Sequence, residues 1–188
     1  MNRDNLEYRY LKYKYKYHKL RNEMNASHNN VNQSGGSLKG LMVQAPMGSG
    51  KSYYLKNRVP EDSLDRILDG DVLLEEKKIK NRNFFWYDSN KVAERKKIID
   101  AFDAELRKGK IILYSGNPAL ITTDILVLPN SDTRWDRLQS RSDFKPSKEQ
   151  FDREQKAYEA ARDMIPVVFN SDLPDFSVLL ALLNQKNK

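Results

Sequence analysis

The chain has 188 residues, of which 39% are hydrophobic and 31% charged, with a formal net charge of +7 and no cysteine. This length fits one domain built on a five-stranded sheet and leaves no room for a second catalytic domain. The lack of cysteine excludes disulfides, thiolate metal sites and cysteine nucleophiles, and no apolar stretch is long enough to cross a bilayer.

The first segment, residues 1–21, carries most of the positive charge, with seven basic and two acidic residues. Lysine and tyrosine alternate over Lys12–Tyr17, which suits a strand with one basic and one aromatic face, and the same segment also suits a short amphipathic helix. The helix would place on one face Leu6, Tyr10, Tyr13, Tyr17 and Leu20. Three interpretations stay open: a contact with nucleic acid or an anionic surface, a docking element for a protein partner, and a solvated basic arm. The charge argues against a secretory signal, so we expect an intracellular, cytoplasmic protein without a membrane span.

Residues 22–39 are rich in Asn, Ser and Gly and have no periodicity, which predicts a flexible linker. A folded domain is expected over residues 40–186. It begins with a strand over Gly40–Gln44, and a helix is predicted from Lys51 to Arg58, where Pro60 ends it.

Between this strand and this helix lies the stretch Ala45-Pro46-Met47-Gly48-Ser49-Gly50-Lys51-Ser52. Small residues let backbone N–H groups converge on phosphate, while Lys51 reaches the terminal phosphates and the Ser52 hydroxyl binds Mg²⁺. The alternative is a glycine-rich surface turn, which leaves Lys51 and Ser52 as a coincidence. We therefore predict an ATP site, or a site for another nucleoside triphosphate, formed by Pro46, Met47, Gly48, Ser49, Gly50, Lys51, Ser52 and Tyr53.

The rest of the domain alternates short apolar strands with helices, as in βαβ units. The predicted strands are Arg66–Leu68, Ile111–Tyr114, Ile125–Leu128 and Val167–Asn170. The predicted helices are Asn90–Lys108, Pro146–Met164 and Phe176–Leu183. This pattern predicts an α/β fold of three layers with a five-stranded, mostly parallel sheet.

Ligands of open α/β sheets bind beyond the carboxyl ends of the strands, and polar residues follow several of these ends. Asp69-Gly70-Asp71 follows the second strand and Ser115-Gly116-Asn117 the third. Arginines follow the fourth strand at Arg134, Arg137 and Arg141. Their spacing of three and four places them on one face of a helix, where they suit either phosphate or a solvated surface paired with Asp132, Asp136 and Asp143.

With the phosphate loop, this order resembles the small P-loop kinases, namely the shikimate and gluconate kinase-like group and the nucleoside monophosphate kinases, over about residues 40–186. The resemblance implies that Asp71 orients or deprotonates the acceptor hydroxyl. It also implies a lid, residues 131–146, whose arginines close over the phosphates. Asp69 could assist Mg²⁺ through water. The alternative for the Asp-Gly-Asp sequence is a turn after a strand.

The aromatic cluster Phe84–Tyr87 suits stacking on a base, a contact with a nucleic-acid end, or burial in the core. The resulting hypothesis is an ATP-dependent phosphotransferase acting on a nucleoside, nucleotide or small metabolite. Two alternatives are a nucleic-acid-associated NTPase or polynucleotide end kinase, and a nucleotide-binding structural or virion protein without turnover. The Tyr/Lys-rich segment looks like N-termini common in large cytoplasmic DNA viruses, which favours the last alternative and a host-cytoplasm or virion location.

Overall fold

The computed structural model describes residues 39–79, 91–142 and 144–187. The predicted basic arm, the linker up to residue 38 and the aromatic cluster Phe84–Tyr87 lie outside these ranges. Within the ranges, no helix has both the length and the apolar character that a membrane crossing requires.

The described residues form strands and helices in alternation. The strands are β1 Leu41–Gln44, β2 Ile67–Asp69, β3 Ile111–Tyr114, β4 Ile125–Val127 and β5 Val167–Phe169. The α-helices are α1 Lys51–Asn57, α2 Gly70–Glu76, α3 Val92–Leu106, α4 Ser131–Gln139, α5 Lys148–Ala161 and α6 Phe176–Lys186. Short 3₁₀ helices cover Glu61–Arg66 and Arg162–Met164.

The five strands form one sheet in the order β2-β3-β1-β4-β5. All pairings are parallel, so the sheet is fully rather than mostly parallel; Leu41 pairs with Ile111, and Val43 pairs with Ile125. Because β1 lies in the centre, the loop that follows it emerges at the middle of the carboxyl edge. The segments after β2, β3 and β4 emerge at this same edge.

Alternate side chains of β1 enter two separate cores, which fill the space on the two faces of the sheet. Leu41 and Val43 belong to the core completed by α1 and α6. Met42 belongs to the core completed by α2 and α3. Each fully buried aliphatic side chain contributes about 1.5–3 kcal/mol to folding, so both layers hold the central strand in place. The predicted three-layer α/β fold is confirmed.

Some boundaries differ from the sequence-based prediction. The second strand is Ile67–Asp69 rather than Arg66–Leu68, and helix α2 follows it without a connecting turn. This seven-residue helix was not predicted, because it is too short to show a helical period. The helix predicted from Pro146 instead has Ser147 as its N-cap, with a capping box to Gln150.

Candidate functional site

The β1–α1 loop, residues 45–50, turns sharply at two glycines. Gly48 has φ 77° and Gly50 has φ 85°, a left-handed backbone that side chains disfavour. Ser49 is buried between them, and its N–H donates to the Pro46 carbonyl at 3.1 Å. The two glycines therefore allow the chain to curl back before it enters α1.

The two glycines differ in their surroundings, which gives a matched pair of substitutions. A Cβ on Gly48 would lie 2.8 Å from the Arg134 carbonyl oxygen, whereas a Cβ on Gly50 meets nothing within 4 Å. We expect Gly50→Ala to lower the free energy of unfolding by about 1–2 kcal/mol from backbone strain alone. Gly48→Ala should cost about 2–4 kcal/mol because a steric clash adds to the strain. Urea unfolding of both variants measures the difference, and equal losses would contradict the proposed packing of α4 against the loop.

Lys51, the first residue of α1, folds its side chain back over the loop. Its Nζ donates to the Ala45 carbonyl at 2.9 Å and to the Pro46 carbonyl at 3.4 Å. Burial lowers the pKa of Lys51, and the nearby carboxylates of Asp71 and Glu154 oppose that shift. The ammonium therefore lies over the loop in a position from which a bound phosphate could attract it.

Two buried charged side chains lie beneath the same loop. Arg134 on α4 and Glu154 on α5 form an ion pair, with Arg134 Nη2 at 2.6 Å from Glu154 Oε2. Arg134 Nε donates to the Met47 carbonyl at 3.0 Å, and the Met47 N–H donates to both carboxylate oxygens of Glu154 at 3.1 and 3.2 Å. Burial raises the pKa of Glu154, and the positive charge of Arg134 acts against this rise. We call Arg134 and Glu154 the Met47 clamp, because together they bind both backbone groups of that residue.

A cavity of about 420 Å³ opens beside the loop, and we call it the acidic cavity after Asp69 and Asp71, although Lys51, Arg137 and Arg141 also line it. Its lining is Met47, Gly48, Gly50, Lys51, Ser52, Tyr53, Asp69, Asp71, Ser115, Arg137, Arg141 and Phe144. Asp69 also caps α2, since its Oδ1 accepts the Asp71 N–H at 2.9 Å. The predicted carboxylates thus lie in the same cavity as Lys51 and Ser52, as the parallel topology of β1 and β2 requires.

A second cavity, which we call the tyrosine-lined cavity, has a volume of about 510 Å³ and also opens beside the loop. Its lining is Ser49, Gly50, Tyr53, Tyr54, Arg58, Arg137, Asp172, Leu173 and Asp175. The Tyr54 hydroxyl is buried and has no hydrogen-bond partner among the described residues. Burial, followed by the negative charge of Asp175, raises the pKa of Tyr54 to about 12, so the hydroxyl keeps its proton at neutral pH. The two cavities meet at the loop, because they share three lining residues: Gly50, Tyr53 and Arg137.

The three-dimensional structure is similar to solved kinases. A shikimate kinase from Bacteroides thetaiotaomicron superposes with a TM-score of 0.50 at 18% identity, over 77% of this chain and 94% of that chain. The chain shares the three-layer α/β fold of that kinase, with a five-stranded parallel sheet. Two further structures match less well. A shikimate kinase from Acinetobacter baumannii in complex with shikimate has a TM-score of 0.49 and 14% identity, and the match covers 81% of this chain and 97% of that chain. A gluconokinase from Sinorhizobium meliloti has a TM-score of 0.45, 12% identity, and coverage of 80% and 91%. No protein-family model and no curated protein matches the sequence.

The oxygen atoms that line the acidic cavity suit Mg²⁺, which prefers oxygen ligands and keeps several waters. Ser52 and Asp69, the two predicted ligands, share the acidic cavity with Asp71. In the described part of the chain, no group of three or more His, Cys, Asp or Glu side chains is placed to bind a metal. An ion at Ser52 and Asp69 would therefore complete its coordination with phosphate oxygens and water. Bound there, it would neutralise phosphate charge.

The predicted arginine row is divided between two locations. Arg137 and Arg141 line the acidic cavity. Arg134 is fully buried beneath the loop, because Glu154 and Met47 bind its guanidinium. Arg137 in turn pairs with Asp172 through two bonds of 2.7 and 2.9 Å. The expectation that all three guanidinium groups lie along one phosphate-facing side of a helix is therefore wrong. Arg134 is buried, and Arg141 lies beyond the end of α4 at Gln139.

Sequence reasoning missed Glu154, Asp172 and Asp175. A signal for Glu154 existed: Phe151, Glu154, Tyr158 and Ala161 step by three and four along α5, and all four are buried. A carboxylate on an apolar helical face indicates a buried cationic partner, since an unpaired charge there is costly. The two aspartates follow β5 in a loop without any distinguishing pattern, so only the folded chain brings them to the tyrosine-lined cavity.

Proposed function

We propose that this protein is an ATP-dependent phosphotransferase that moves the terminal phosphate of ATP to a hydroxyl or phosphate group of a nucleoside, nucleotide or other small metabolite. The observation that carries the proposal is the meeting of two unlike cavities at the β1–α1 loop. One is lined by Tyr53, Tyr54 and Leu173 together with Asp172 and Asp175. The other is lined by Asp69 and Asp71 together with the cations Lys51, Arg137 and Arg141. A reaction that joins a nucleotide donor to a second substrate needs such a pair of sites on either side of the transferred phosphate.

The tyrosine-lined cavity suits the nucleoside half of ATP. Tyr53, Tyr54 and Leu173 supply apolar surface, and the loop residues Ser49 and Gly50 form its boundary toward the phosphates. Its volume of about 510 Å³ lies within the usual range of ligand pockets. The triphosphate would then extend along the loop toward Lys51, which lines the acidic cavity.

The acidic cavity suits the acceptor and the transfer step. In our proposal, Asp71 orients the acceptor hydroxyl and takes its proton while the acceptor oxygen forms a bond to the terminal phosphorus. The bond from this phosphorus to the bridging oxygen of ADP breaks, and its electrons stay on ADP. Lys51, Arg137 and Arg141 supply positive charge around the transferred group. Phosphoryl transfer depends mainly on such positioning and charge stabilisation.

The experiment that tests the proposal is ATP consumption with Mg²⁺ against a panel of acceptors. The panel contains nucleosides, nucleoside monophosphates, small hydroxy compounds, and DNA and RNA ends. Turnover that depends on one small acceptor is the expected result. Turnover with polynucleotide ends alone would favour the end-kinase alternative and a role for residues 1–21. Binding of ATP without turnover on any acceptor would overturn the enzyme assignment and favour a nucleotide-binding structural protein.

A further inference from the structure

The Met47 clamp has no place in the reaction scheme above, although its two side chains are the most deeply buried charges near the loop. Arg134 is 0% exposed and Glu154 is 6% exposed. The clamp also has supporting contacts: Gln155 accepts a bond from Arg134 Nη1, and the Ser115 hydroxyl donates to Glu154 Oε1 at 3.4 Å. The Phe151 ring lies 4.9 Å from the Arg134 guanidinium. These contacts fix the orientation of both charged groups.

We propose that Arg134 and Glu154 are positioning residues, which set the conformation of the β1–α1 loop for phosphate binding by fixing the Met47 peptide from both sides. The Met47 carbonyl accepts from Arg134 and its N–H donates to Glu154. A residue bound at both backbone groups cannot rotate either adjoining peptide without breaking an ionic hydrogen bond. Loop amides fixed in advance bind an anion more tightly, because binding then requires no ordering.

Fold stability alone does not require an ion pair at this place. A buried pair loses solvation, and replacing both members with apolar residues of similar volume is often neutral or stabilising. The Phe151 ring lies against the Arg134 guanidinium, so an apolar side chain would also pack there, with loss of the bonds to Gln155 and Ser115. What an apolar pair cannot do is bind the N–H and the carbonyl of Met47. The clamp therefore differs from an apolar core contact in its hydrogen bonds to the loop backbone.

The clamp also joins the loop to the start of the predicted lid. Helix α4 carries Arg134 at one turn and Arg137, which lines both cavities, at the next. Gly48 lies against the Arg134 carbonyl and the Leu138 side chain. A lid that moved the whole of residues 131–146 would have to break the ion pair. The ion pair therefore holds α4 against the loop.

This inference rests on the proposed function, because it assumes that the loop binds phosphate. The test therefore uses inorganic tripolyphosphate with Mg²⁺ and, separately, ATP with Mg²⁺, both by isothermal titration calorimetry on the full chain. Absence of binding to the unmodified protein would overturn the proposed function itself. Binding to the unmodified protein makes the variants a test of the clamp alone.

The main variant is the double substitution Arg134→Met with Glu154→Leu. We expect an unfolding midpoint close to that of the unmodified protein, because removing two desolvated charges offsets the cost of leaving the Met47 N–H and carbonyl without partners. Tripolyphosphate and ATP affinities should both fall by about thirtyfold, as expected for the loss of two loop hydrogen bonds to charged groups. The same factor for both ligands would locate the effect at the phosphates. A folded double variant with unchanged affinities would overturn the proposal.

A second variant decides the question if the double variant does not fold. Arg134→Lys keeps a positive charge beside Glu154, but an ammonium cannot reproduce the forked contacts to Glu154, Met47 and Gln155 at once. We expect at least about a fivefold loss of tripolyphosphate affinity, and unchanged affinity would overturn the proposal. The control is Tyr158→Phe on α5, the helix that carries Glu154; this variant loses a buried bond of 3.2 Å to Gln44. Its stability should fall while its affinity stays the same, and a comparable loss of affinity would also overturn the proposal.

Discussion

Replacing Lys51 with alanine is expected to weaken binding of Mg·ATP by about ten- to a hundredfold and to reduce turnover by about a thousandfold. A charge-assisted hydrogen bond to phosphate contributes about 1.5–3 kcal/mol, which accounts for the loss of affinity. The larger loss of turnover follows because the charge on the transferred group shifts during the reaction, where an oriented cation has its greatest effect. Calorimetry and a coupled assay of ADP release measure the two quantities.

The structure supplies a control on the same helix. Lys56 lies in the last turn of α1 and is exposed, so Lys56→Ala should leave affinity and turnover close to those of the unmodified protein. Comparable losses in both variants would mean that net charge, and not the position of Lys51, determines binding. Unchanged ATP affinity in Lys51→Ala would contradict the central assignment of the loop.

The fold could be predicted from the sequence because local and global signals agree. Three strands are short, mainly apolar runs that are buried in the sheet, as expected for parallel strands: Leu41–Gln44, Ile111–Tyr114 and Ile125–Val127. The alternation of strands with helices then restricts the topology to right-handed crossovers. The signal is weakest for α2, whose seven residues contain the buried pair Leu73 and Leu74 but no full period.

The candidate site was predictable only where sequence position determines spatial position. Lys51 follows β1 and Asp71 follows β2, and both strands end at the carboxyl edge of one sheet with only β3 between them, so parallel topology brings the two residues together. The position of the Arg134 side chain could not be predicted in this way. Its spacing of three residues from Arg137 is compatible both with a side chain that lines the cavity and with one that points beneath the loop. Its orientation depends on Glu154, which lies 20 residues later on another helix. Helical periodicity alone could not distinguish the two orientations.

Asp71→Asn is expected to leave ATP affinity within about twofold and to reduce turnover by about a hundred- to ten-thousandfold, the range of positioned general bases. The amide cannot take the acceptor proton, yet it keeps the shape of the side chain. The loss should appear in kcat, measured with the acceptor that the panel identifies. A variant that loses ATP affinity but retains kcat would instead indicate that Asp71 acts on the nucleotide.

The neighbouring carboxylate separates this prediction from a general effect of charge in the acidic cavity. Asp69 caps α2 through its bond to the Asp71 N–H, and asparagine is an equally good cap, so Asp69→Asn should retain the free energy of unfolding. If Asp69 assists Mg²⁺, its loss raises the Mg²⁺ concentration needed for half-maximal turnover, and excess Mg²⁺ restores the rate. The Asp71→Asn rate should not recover at any Mg²⁺ concentration, because a proton acceptor is what it lacks. Recovery of both variants with Mg²⁺ would assign both carboxylates to the metal and leave the acceptor without a base.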